Sequence, residues 1–234
     1  MLSHWYGFFV ARIVIVYVWF YANKAEPLLL AEDGEMMDYI PFPNKKYKTI
    51  YADPPWQESG GGKIKRGADR YYPLMTTKEI CEMPVQQIAD DNCHLYLWTT
   101  NNFLQDAFKV MEAWGFEYIT CITWMKDRQG LGQYFRGLTE HCLFGRKGML
   151  PYKTVNGKRQ QGLTGFYAPK EEHSKKPDMM RQMIERVSYM PAIELFARQK
   201  VDGWDCWGNE VCKSDSILAP ISTSVKSKSL FCLR

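Results

Sequence analysis

The run Lys48 to Ala52 (KTIYA) is short, apolar and rich in strand-forming residues, and it ends abruptly at Asp53-Pro54-Pro55-Trp56. Two consecutive prolines allow neither a helix interior nor a central ladder, so a strand must stop there and the tetrapeptide must lie on a loop at its carboxyl end. His94 to Thr100 (HLYLWTT) reads as a second buried strand. Asn101 follows as an N-cap, with Phe103, Ala107, Val110, Met111 and Trp114 at helical spacing until Gly115 closes the helix. Tyr118 to Trp124 and Glu140 to Gly145 are further strands. Pro177 to Val187 is a helix with proline in its first turn and Met180, Met183, Ile184 and Val187 on one side; Ala192 to Ala197 is the last clear strand. Strands alternating with helices predict an α/β fold: a mostly parallel sheet covered on both faces, with ligands outside the carboxyl ends of its strands, where Asp53 and Arg198 fall.

At 234 residues the chain has room for one substantial core, and its 46% hydrophobic and 24% charged residues exclude a disordered or fibrous protein. A formal charge of +4 permits a polyanionic partner. The cysteines Cys81, Cys93, Cys121, Cys142, Cys206, Cys212 and Cys232 are spread singly with no C-x-x-C pair, which argues against a disulfide framework and for a reducing cytoplasm. With histidines equally scattered, no metal site is predicted. Trp5 to Ala22 is almost wholly apolar, but Arg12 at its centre would cost roughly 2.5–3.5 kcal/mol in a spanning helix, so membrane contact is not favoured. We read residues 1–36 as a hydrophobic extension outside the native fold, residues 37–212 as the working domain and the Ser- and Lys-rich residues 213–234 as a poorly ordered tail. Three long polar loops, Gln57 to Arg70, Met125 to Gly137 and Arg146 to Lys176, are long enough to carry function.

The tetrapeptide has a chemical use. An exocyclic amine on an aromatic ring is a poor nucleophile because its lone pair is delocalised, so a site that alkylates it needs acceptors for both N–H bonds. Asp53 and the Pro54 carbonyl offer two acceptors side by side, and Trp56 offers a ring for stacking on the base.

Ala52-Asp53-Pro54-Pro55-Trp56, Glu140-His141-Cys142-Leu143, Ser174-Lys175-Lys176-Pro177-Asp178, Glu194-Leu195-Phe196-Ala197-Arg198 and Gly203-Trp204-Asp205-Cys206-Trp207-Gly208-Asn209-Glu210 occur in that order. Together they resemble the DPPW family of adenine-N6 methyltransferases, which includes the catalytic subunit of the eukaryotic mRNA adenosine methyltransferase and many bacterial and phage DNA enzymes. The resemblance implies a Rossmann-like fold dependent on S-adenosylmethionine, in the permuted order that puts the catalytic loop before the cofactor strand. It implies that Asp53, with Pro54, Pro55 and Trp56, receives the target amine, and that Asp53 also meets the cofactor's amino-acid end. Lys176 would pair with the cofactor carboxylate, Glu194 and Arg198 would hold its ribose, and Asn209 with Glu210 its adenosyl group. Glu210 stands where the eukaryotic members carry Gln, which points to the prokaryotic branch and to DNA, with RNA as the alternative substrate; Gln199 and Lys200 also depart from the His and Asn of those members. An inactive partner subunit that only binds nucleic acid is the rival of another class.

Four further residues are candidates for substrate contact. Tyr72 follows a glycine-rich basic loop; Lys126 and Arg128 lie in a loop with interleaved Tyr134, Phe135 and Arg136, a mixture suited to a splayed-out base; Glu140 opens a strand beside the expected pocket. His141 reads as a bonded histidine rather than a ligand.

Overall fold

The computed structural model describes residues 42–57, 74–130, 132, 134–171, 175–208 and 211, all within the compact unit Ile40–Arg234. Its strands are β1 (Tyr47–Ala52), β2 (Ala89–Thr99), β3 (Glu117–Met125), β4 (Thr139–Lys147), β5 (Thr154–Val155), β6 (Lys158–Arg159), β7 (Gly165–Tyr167), β8 (Ala192–Leu195) and β9 (Trp204–Trp207). Its helices are α1 (Thr77–Cys81), α2 (Val85–Ile88), α3 (Leu104–Ala113) and α4 (Asp178–Val187), with a 3-10 turn at Asn101–Phe103. Seven strands form one sheet in the order β7-β3-β4-β2-β1-β8-β9, and β5 with β6 makes a separate hairpin.

β1 lies between β2 and β8 and parallel to both, and β9 extends the parallel run. β4 alone runs antiparallel, inserted between β2 and β3. The chain leaves β1 toward β2 on one side and returns through β8 on the other, so the carboxyl ends of β1 and β8 flank the crevice where such sheets bind ligands.

Alternation along the strands builds two apolar layers. On one face Ile50, Leu95, Leu97, Ile193 and Leu195 pack with Ile80, Val110, Met111 and Trp114 of α1, α3 and the residue after α3. On the other, Tyr51, Tyr96, Trp98, Trp124 and Trp204 pack with Met180 and Ile184 of α4. This second layer carries polar atoms that find partners within it: Trp98 Nε1 donates to Tyr51 Oη at 2.7 Å, and Tyr96 Oη bonds Ser188 Oγ at 2.7 Å.

The expected strands and helices are present with shifted ends. β2 opens at Ala89, ahead of the apolar run, because Ala89 pairs with Tyr47 at the start of β1. Asn101 is not an N-cap: it begins the 3-10 turn, and its side chain turns to Thr139 and His141 instead. Gly115 closes α3 at φ 80°, as its position implied. β8 stops two residues short of Ala197, since Phe196 takes φ 63°, a left-handed conformation that ends a strand. The β5–β6 hairpin falls inside the long polar loop expected from Arg146 to Lys176; its turn residues Asn156 and Gly157, both at positive φ, form the usual two-residue hairpin turn. Residues 1–36 and 213–234 lie outside the described residues.

Candidate active site

Asp53 follows β1 directly, and Lys176 precedes α4. Lys176 Nζ donates to Asp53 Oδ2 at 2.6 Å and lies 3.4 Å from Glu140 Oε2. Glu140, at the start of β4, also accepts from Lys126, the residue after β3; antiparallel pairing of Trp124 with Glu140 brings those two together. Four charges of alternating sign, Asp53, Lys176, Glu140 and Lys126, therefore form a continuous chain across the carboxyl end of the sheet. Aromatic rings floor it: Lys176 Nζ sits 5.3 Å from the centroid of Trp98 and Lys126 Nζ 5.0 Å from that of Trp124, distances at which a ring face attracts a cation.

Burial and charge pull these groups in opposite directions. Burial pushes the Asp53 carboxyl up; Lys176 and, more weakly, Arg198 oppose this, yet its pKa stays above the usual aspartate value. Burial acts on Glu140 too, but Lys176 and Lys126 together outweigh it and hold its pKa below the ordinary glutamate value. Burial alone would lower the Lys176 ammonium; Asp53 and Glu140 outweigh it and hold its pKa above that of a free lysine. Lys176 is thus a locked cation, and Asp53 the carboxylate of the cluster whose proton affinity burial raises on balance.

One expectation for the tetrapeptide is corrected. Trp56 does not present a free ring: it is 7% exposed, stacks on Phe103 with centroids 5.6 Å apart and planes at 21°, and its Nε1 donates to the Trp98 carbonyl at 3.0 Å. It anchors the loop in the core, because a large ring beside a strand end gains more from burial than from exposure. The Pro54 carbonyl accepts from Trp56 N–H at 2.9 Å, and one lone pair remains for a substrate. Pro55 is pinned by Met75 N–H at 2.8 Å. Lys176 engages one oxygen of Asp53, and an ionised carboxylate has roughly four acceptor positions, so capacity for an amine remains.

Of the other predicted residues, Arg198 is near enough for its charge to act on Asp53. Glu194 lies in β8 on the α4 face, where its carboxylate is paired with Arg181 of α4. Arg128 does not join the cluster; it is 76% exposed and paired with Asp127. Lys126, expected to meet substrate, is turned inward. Tyr72, Asn209 and Glu210 lie outside the described residues. His141 is bonded, with Nε2 2.8 Å from Asn101 Oδ1 and Nδ1 3.1 Å from Thr123 Oγ1. Sequence reasoning missed Arg181, whose guanidinium also lies 5.7 Å from the Trp204 ring; the available signal was a cation directly beside the apolar stripe of Met180 and Ile184.

The donor set suits S-adenosylmethionine, the cofactor the resemblance implies. Its amino-acid end carries an ammonium and a carboxylate, which Asp53 and Lys176 complement. The carboxyl ends of β8 and β9 also close tightly: a Cβ on Gly208 would stand 2.4 Å from the Ala197 carbonyl oxygen, leaving backbone without side chain there.

Residues 47–210 match the protein family MT-A70. Among individual proteins the chain is similar to the type II methyltransferase M.MunI of Mycoplasma sp, 34% identical over 73% of this chain and 80% of that protein. It is also similar to two proteins of Homo sapiens. The N(6)-adenosine-methyltransferase catalytic subunit METTL3 is 29% identical over 71% of this chain and 28% of its own length, and the N(6)-adenine-specific methyltransferase METTL4 is 26% identical over 72% and 38%. The chain thus spans most of the bacterial relative and well under half of the human ones.

Proposed function

The chain belongs to the MT-A70 family, and from that premise we propose that it transfers a methyl group from S-adenosylmethionine to the exocyclic N6 amine of adenine in DNA. The observation that carries this reading is the Asp53–Lys176 pair at the carboxyl end of β1, beside the Pro54 carbonyl. When bound, the cofactor supplies an electrophilic methyl group on sulfur. Asp53 and the remaining Pro54 lone pair accept hydrogen bonds from the two amine N–H groups, drawing the nitrogen toward tetrahedral geometry and aiming its lone pair at the methyl carbon. The N–C bond forms as the S–C bond breaks to leave a neutral thioether, and the amine sheds its surplus proton to water. Positioning of this kind is worth several orders of magnitude in rate. Lys176 balances the charge of Asp53 and offers its ammonium to the cofactor carboxylate. Cofactor contact is assigned further to Arg198, Glu194, Asn209 and Glu210, and nucleic-acid contact to Tyr72, Arg128 and Glu140. A base in duplex DNA must leave the stack, at a cost of a few kcal/mol, to reach such a loop.

DNA is favoured over RNA because the relative matched over most of its length is a type II methyltransferase and because Glu210 departs from the eukaryotic pattern. Residues 37–212 hold the activity, and the chain works in a reducing compartment, its described cysteines being free. The test is transfer of labelled methyl groups to unmethylated duplex DNA, single-stranded DNA and RNA in parallel, read by nucleoside mass spectrometry. N6-methyladenine in DNA, lost in Asp53→Ala, is the expected result; modification confined to RNA overturns the DNA assignment, and none in any polymer overturns the transferase reading.

A further inference from the structure

Lys126 is a lysine from a loop suited to nucleic acid, yet its side chain is only 13% exposed. It bonds Glu140 Oε1 and rides over the Trp124 ring, while Glu140 Oε2 faces Lys176. A phosphate contact needs a solvated cation able to release counterions, and this cation is committed inside the site. We propose that Lys126 is a positioning residue for methyl transfer: by holding one oxygen of Glu140 it sets how Lys176 is shared between Glu140 and Asp53, and so keeps the Asp53 carboxylate available to the amine. The proposal rests on the methyl-transfer reading above.

The charge count carries the argument. Asp53, Lys176, Glu140 and Lys126 sum to zero, and each inner member touches an opposite charge on both sides. Without Lys126 the cluster holds two carboxylates and one ammonium in a poorly hydrated pocket. Glu140 then takes a proton and lets go of Lys176, or draws Lys176 from Asp53; each outcome changes what Asp53 can accept. The groups that act on Glu140 come from four elements: Lys126 after β3, Lys176 before α4, Asp53 after β1 and His141 beside it in β4, with Arg198 acting on Asp53 from beyond β8. Removing Lys126 alters the only cation that meets Glu140 without meeting Asp53 among these.

Lys126→Met keeps the length and the contact with Trp124 while deleting the charge. Expected are a fall in kcat of about 10–100-fold with KM for DNA within about threefold of the parent, an acid limb of the rate profile moved to higher pH, and recovery of most of the rate in Lys126→Arg. Lys126→Met combined with Glu140→Gln should be no slower than Glu140→Gln alone, as for two residues acting through one link. Unchanged kcat with a raised KM and a salt slope shallower by about 0.9 would mean a direct phosphate contact and overturn the proposal; so would additive losses in the double variant. Carboxyl carbon NMR of Glu140, assigned through Glu140→Gln, separates this from the premise. Its titration midpoint should rise in Lys126→Met whether or not the parent methylates anything. A static midpoint sinks the role of Lys126, whereas a parent that methylates no polymer sinks the methyl-transfer reading.

Discussion

Lys176 Nζ and Asp53 Oδ2 meet at 2.6 Å although 123 residues separate them along the chain. Asp53 follows the first strand of the sheet and Lys176 lies just before α4, so the site closes only when the late half of the domain docks on the early half. Burial and charge act against each other on both members of the pair, and it yields a direct test.

Lys176→Met leaves Asp53 and Glu140 as two mostly buried carboxylates without their shared cation. Removing one partner of a buried pair costs about 3–5 kcal/mol, and urea unfolding at neutral pH should show a loss in that range. The Asp53 carboxyl, already raised by burial, loses its main opposing charge and rises further. Any residual methyl transfer should therefore have its acid limb at higher pH; a limb that stays in place contradicts the pairing.

Arg181 and Glu194 make a second buried pair, 14% and 17% exposed. Burial raises the Glu194 carboxyl and Arg181 restrains it. Arg181→Met should destabilise the protein by about 3–5 kcal/mol, and adding Glu194→Gln should restore most of that, since no unpaired charge then remains. Denaturation of the single and double variants decides; equal losses in both would mean that Arg181 acts through packing on Trp204.

Trp56 separates an anchor from a stacking platform. As an anchor, Trp56→Ala costs about 3–5 kcal/mol of stability, the usual range for emptying a large aromatic site. Trp56→Phe should cost about 1–3 kcal/mol, because the Trp98 carbonyl is left without its donor. A platform would behave differently: stability would hold and KM for DNA would rise.

His94 supplies a pH dependence away from the site. Burial, then the nearby charge of Arg146, lowers its pKa from 6.5 to about 4. Below pH 6.5 the unfolded chain binds a proton that the folded chain refuses, so stability falls as pH drops from 6.5 toward about 4, with a slope of at most about 1.4 kcal/mol per pH unit. In His94→Gln this component should vanish. Urea midpoints of parent and variant between pH 4 and 7 should converge toward acid; parallel curves would exclude the assignment.

How far the sequence reaches differs between elements. β1 is legible as a short apolar run, buried on both faces and stopped by two prolines, and α3 and α4 because each buries one face at the helical period, with Gly115 and Pro177 marking ends. β9 is not legible as a strand: in Trp204–Trp207 the alternation is too brief to separate from loop, and pairing with β8 is what makes it one. The antiparallel insertion of β4 is likewise a matter of neighbours rather than of its own residues.

The residues themselves determined that a strand ends at Asp53 and that the fold is α/β, and motif order singled out Asp53, Lys176 and Glu140 as candidates for one site. Motif order and local periodicity carry that much because they depend on groups a few positions apart. Only the tertiary structure decided that Lys126 faces inward, that Trp56 is an anchor and that Arg181 holds Glu194. Those orientations depend on which face of a long-range neighbour each side chain meets, and on whether burial or solvation wins at that spot.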